Sequence, residues 1–195
     1  MAVALAGDTA ASASPYRVGD CLWDALSTAQ QQEVLVAYGK GMGAATSTLA
    51  QHDATVQAAA PRCVGAEGAP ALLLKGAAAS AMIRSVSSRS LQSERGLDAS
   101  ALERTWTASS ETARTCTRVF AAKVFGPMAD KVLSGQTCAY PKAPLELLNA
   151  LKLDPKAPGD QSAVRHALIH FNGRAQGELM EAMLAAFLGY GAPKS

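Results

Sequence analysis

Four cysteines, Cys21, Cys63, Cys116 and Cys138, constrain this chain of 195 residues more than any other feature. No two lie close enough for the C-x₂₋₄-C spacing of a structural zinc site, and the C-x-x-C of thioredoxin-type redox chemistry is absent. Four cysteines admit three connectivities, and the local one, Cys21 with Cys63 and Cys116 with Cys138, needs no special topology. Cys21 precedes one predicted helix and Cys63 follows its predicted antiparallel partner, so the two should meet at the mouth of a hairpin. Cys116 lies about 15 Å of helix before Gly126, and a short returning helix of about 10 Å plus a few extended residues brings Cys138 back beside it. Two local disulfides imply an oxidising compartment. The alternative is four free, buried thiols in a cytoplasmic protein.

Such bridges matter because the rest of the composition gives a thin core. Nearly half the residues are hydrophobic, but many are alanine, and aromatics make up only 5%. Alanine favours helix and each one buries little area, while the β-branched and aromatic strand formers are few. The expected fold is therefore all-α, an irregular bundle of about six to eight helices stapled by the two disulfides. Residues 19–195 are expected to form one helical domain, with 19–97 and 98–195 as candidate sub-lobes. Residues 1–18 read as a tail or the remnant of an export signal, since Ala11-Ser12-Ala13 resembles the small-residue end of such a signal.

Helix boundaries follow from caps and breakers. Ser27 with Gln30 has capping-box spacing and opens a helix that Gly39, Gly41 and Gly43 close. A second helix is expected over residues 44–60 and a third over 71–92, stopped by Gly96. Ser100 and Glu103 read as a second capping box, opening one continuous helix in which Leu102, Trp106, Ser109, Ala113, Cys116, Phe120 and Val124 share a stripe. Short helices are expected over 128–134 and 145–151, then one holding Val164, Leu168 and Phe171. Gly173 and Gly177 weaken or bend the chain before a closing helix over 178–188, whose wide apolar face suits a central position. No apolar run is long enough to cross a membrane as a helix.

Charge excludes more than it suggests. The net charge is +2 and no run of one sign exists, so nucleic-acid binding is not expected. Gly39-Lys40-Gly41-Met42-Gly43 lacks the preceding strand and the Lys-Ser/Thr of a phosphate loop, and reads as a helix stop. No Gly-x-Ser-x-Gly elbow occurs, and no cofactor is expected.

Three constellations remain as candidate sites. His166 and His170, four residues apart, share a helix face and can chelate a metal, with His52, Glu178 and Glu181 available to complete a shell. Arg84, Arg89, Arg114 and Arg118 offer guanidinium forks for an anion or a partner. Met180, Met183 and Phe187 can line an apolar pocket. Taken together, the expectation is an exported or periplasmic protein that acts by binding, with a protein partner favoured. The alternatives are a metal-assisted hydrolase using His166 and His170, and a carrier of apolar small molecules.

Overall fold

The structure, a computed structural model, describes residues 17–189. All but the last two residues of the expected tail lie outside this range. Ten α-helices and no strand occur among the described residues. They are α1 (Arg17–Asp24), α2 (Thr28–Tyr38), α3 (Met42–Gln51), α4 (Asp53–Val64), α5 (Ala71–Arg95), α6 (Ala99–Ala108), α7 (Glu111–Ala122), α8 (Pro127–Leu133), α9 (Leu145–Ala150) and α10 (Gln161–Leu188). A single 3₁₀ turn, Pro158–Asp160, leads into α10.

The two longest helices, α5 and α10, form the axis of the fold. They run antiparallel: Gly76 faces Met180, Ser87 faces His170, and Glu94 accepts a hydrogen bond from Ser162. Helices α1 and α4 pack on α5, while α7 and α8 pack on α10. Small residues set the spacing. A Cβ on Gly173 would lie 2.5 Å from Ile83 Cγ2, and one on Gly19 would lie 2.7 Å from the Ala77 carbonyl oxygen. Only glycine lets α10 and α1 approach α5 this closely. The main apolar cluster runs from Val18 to Leu184 and includes residues on both sides of position 97. A second, much smaller cluster gathers Ala113, Cys116 and Ala143, with Phe120 and Cys138 against it.

Several helix boundaries differ from those read in the sequence. The helix expected over 44–60 breaks at His52, which closes α3 and precedes α4. α4 then continues through Pro61 to Val64, and Gly65 closes it in the left-handed region. The long helix expected through Val124 is two helices. Ser109 takes extended backbone and its hydroxyl donates to the Trp106 carbonyl; Ser110 then caps α7 by accepting from the Ala113 N–H at 3.1 Å. The cap of α6 is Asp98, which accepts from Ala101 N–H at 2.7 Å, and not Ser100. Conversely, α10 runs unbroken through Gly173 and Gly177, and Gly173 serves close packing against α5. Val124, expected on the core-facing stripe, is exposed. Among the described residues, no helix is long and apolar enough to cross a membrane.

Candidate functional site

Both disulfides form with the expected pairing, Cys21–Cys63 with Cα atoms 5.5 Å apart and Cys116–Cys138 with 4.5 Å. Neither pair sits quite at a hairpin mouth. Cys21 lies inside α1 and Cys63 in the last turn of α4, so the first bridge ties two helices that both pack on α5. Cys116 lies in α7, and Cys138 lies in the loop after α8.

The charged groups form a network that joins α6, α7 and α10. Arg174, only 5% exposed, binds Glu103 through two parallel hydrogen bonds of 2.9 Å and Glu178 at 2.6 Å. Glu178 also accepts from Arg118 Nε at 2.5 Å and from Trp106 Nε1 at 3.3 Å. The Trp106 ring lies under both guanidinium groups, 5.1 Å from Arg174 and 6.0 Å from Arg118, and stacks on Phe171. Burial lowers the Arg174 pKa to about 10, which leaves it charged at neutral pH. Burial also raises the Glu103 carboxyl above its ordinary value. Arg114 turns toward the end of α6, donating to the carbonyls of Trp106, Thr107 and Ser109, where orphan acceptors meet a cation. Both oxygens of Glu178 are held by donors, so this carboxylate is placed to clamp helices together.

That network absorbs most of the expected anion site. Arg84 pairs with Asp20 of α1 at 2.5 Å, and Arg114 and Arg118 both hold Glu111. Arg89 alone of the four is exposed, beside Gln92 and Asp98. Arg114 and Arg118 share Glu111 while Arg84 and Arg89 lie elsewhere, so the four arginines do not gather at one place.

The two histidines share a helix face but not a site. His170 is buried, with Nδ1 3.3 Å from the Ser87 hydroxyl, and its burial lowers its pKa to about 4. His166 lies between Tyr38, whose hydroxyl is 3.1 Å from Nδ1, and Glu94, 3.4 Å from Nε2. The other proposed ligands are elsewhere: His52 contacts Gln30 and Glu33, Glu178 holds arginines, and Glu181 accepts from the Val18 N–H at the start of α1. Among the described residues, no three histidine, cysteine or carboxylate side chains gather as a metal site. The apolar pocket does not assemble either. Met180 and Met183 are buried in the core, with Met180 Sδ filling the space beside Gly76, whereas Phe187 is 60% exposed.

Two open clefts flank α9. One, of about 550 Å³, runs between α6 and α9 and is lined by Leu97, Ala101, Arg104, Leu151 and Lys152 among others. The second, of about 460 Å³, lies on the other side of Glu146 and includes Tyr140, Lys142 and Leu145. Glu146 accepts from both the N–H and the hydroxyl of Ser110 at 2.6 Å, which fixes α9 to the start of α7 and lowers its carboxyl pKa. Tyr140 and Leu145 are exposed. Sequence reasoning missed the Glu103–Arg174–Glu178 clamp and both clefts. The one local signal was the four-residue spacing of Arg174 and Glu178; Glu103 joins them only through the fold. No known protein family, curated protein or solved structure matches the chain.

Proposed function

We propose that this protein is exported to an oxidising compartment, the periplasm or the cell exterior, and acts there by binding a protein partner. The carrying observation is the surface beside α9: exposed Tyr140 and Leu145 line a cleft on a segment that the Cys116–Cys138 bridge ties to α7. Large apolar side chains held out on a covalently anchored segment suit recognition, since the ordering cost has been met before the partner arrives. The joining of all four cysteines supports the compartment. The paired arginines and carboxylates, with Arg174 buried and the others partly exposed, support a binding role over a catalytic one, because they neutralise one another across helices.

The test has two arms. Thiol alkylation in intact cells should find no reactive cysteine in the mature protein; four alkylated cysteines would remove the export reading. A photo-crosslinking amino acid at Tyr140 or Leu145 should give one discrete adduct in the producing cells, and the same group at Lys75 should give none. Adducts of equal yield at all three positions, or none at any, would remove the partner reading.

A further inference from the structure

Arg104 and Lys152 are the cations on the lining of the cleft between α6 and α9. Arg84, Arg95, Arg114, Arg118 and Arg174 each hold a carboxylate. Among the described residues Arg104 donates to the Ser100 hydroxyl, at 3.0 Å, with the Asp98 carboxylate near enough to feel its charge but not paired with it. Lys152 is exposed and forms no ion pair among the described residues. Both border the cleft between α6 and α9, whose wall includes Leu97, Ala101, Ala108 and Leu151. The carboxylate on that wall, Glu146, is already held by Ser110.

The backbone at Lys152 is a second, independent sign. α9 ends with the Lys152 N–H on the Asn149 carbonyl and the Leu153 N–H on the Leu148 carbonyl, the pattern that calls for a left-handed residue just past the helix. Lys152 supplies it at φ 58°. Glycine adopts that conformation without steric penalty, whereas a residue with a Cβ is disfavoured there. A lysine where local geometry favours glycine points to a use for the side chain.

We infer that the α6–α9 cleft binds a segment of a partner protein in which acidic side chains alternate with aliphatic ones, the carboxylates meeting Arg104 and Lys152 and the aliphatic groups lying on the wall between them. A peptide is favoured over a free amphiphile by the shape of the site. The cleft is open along one side, which suits a segment still attached to its own protein, whereas small ligands are held in sites that enclose most of their surface. The inference rests on the binding role proposed above, and it uses a different cleft from Tyr140.

Fluorescence anisotropy with a labelled leucine/aspartate octapeptide, blocked at both ends, tests it. The peptide should bind, more weakly as salt rises, and its leucine/asparagine counterpart should bind about tenfold less well. Arg104→Gln and Lys152→Gly should each weaken binding about tenfold. The thermal midpoint of Lys152→Gly should stay level or rise, which separates lost recognition from lost folding. Ser134→Gly is the control: Ser134 has φ 49° at the end of α8, outside the cleft, and its replacement should leave binding unchanged. No binding, equal affinity for the asparagine peptide, or wild-type affinity in Lys152→Gly would overturn the inference. Crosslinked adducts at Tyr140 or Leu145 that persist through such a failure leave the broader role standing. Peptide binding without those adducts does the reverse.

Discussion

Arg174 shows how one side chain can decide whether three helices stay together. Its guanidinium meets Glu103 of α6, Glu178 of α10 and the Trp106 ring, and Glu178 carries the chain of contacts on to Arg118 of α7. Removing it leaves two partly buried carboxylates facing each other. Arg174→Ala should cost about 3 kcal/mol, read as a shift in the urea unfolding midpoint. Arg174→Met should cost less, since its stem still covers the indole. His170 offers a pH-dependent test. Burial and the Arg84 charge hold its folded pKa at about 4, below the 6.5 of the free side chain. Between these values the unfolded chain binds the proton and the folded protein does not, so stability falls as pH drops from about 6.5 to about 4 and levels off below, on the order of 3 kcal/mol in all. Urea titrations across that window should show this slope, and His170→Asn should lack it. Glu103 and Glu181, raised by burial, tilt the profile the other way, so the comparison between His170 and Asn at this position is the informative one.

At the level of helices, what could be read in the sequence and what could not have a common cause. Caps and breakers with a local mechanism located Ser27 with Gln30, and Gly96, correctly as helix boundaries. Apolar periodicity misled wherever it continued through a break. The stripe from Leu102 to Cys116 runs across Ser109 and Ser110, yet Glu146, from elsewhere in the fold, and Arg114, one turn into α7, satisfy the backbone groups that the break releases. The Cys116–Cys138 pairing was readable because it followed from chain length and direction, whereas the α9 clefts depend on how three separate helices settle. Gly173 was misread as a weak point because its neighbour, Ile83, is distant in sequence. Alanine substitutions make this concrete. Alanine improves helix propensity by about 1 kcal/mol at each site, so any loss reports on packing. Gly19→Ala should destabilise most, by about 2–3 kcal/mol, because a backbone carbonyl blocks the new methyl. Gly173→Ala should follow, and Gly76→Ala should cost least, since the obstructing Met180 thioether can move. Thermal or urea unfolding of the three variants gives the order directly.

For the molecule as a whole, the two bridges have different tasks. Cys21–Cys63 spans 42 residues and Cys116–Cys138 spans 22, for which loop-closure entropy alone gives about 4 and about 3 kcal/mol respectively. The first ties α1 and α4, both packed on α5, so Cys21→Ala with Cys63→Ala should lower global stability. The second ties a segment whose own apolar cluster is small, so Cys116→Ala with Cys138→Ala should mainly speed amide hydrogen exchange across residues 134–144 and leave α5 and α10 protected. Uniform loss of protection in the second variant would show that this segment unfolds only with the whole. The bridges also close loops that neither overlap nor nest, joining first cysteine to second and third to fourth. As the chain emerges from the N-terminus, the first cysteine of each pair therefore finds its mate in the next one to arrive. An oxidase working on thiols in order of appearance would reach the native linkage set directly, with no reshuffling step.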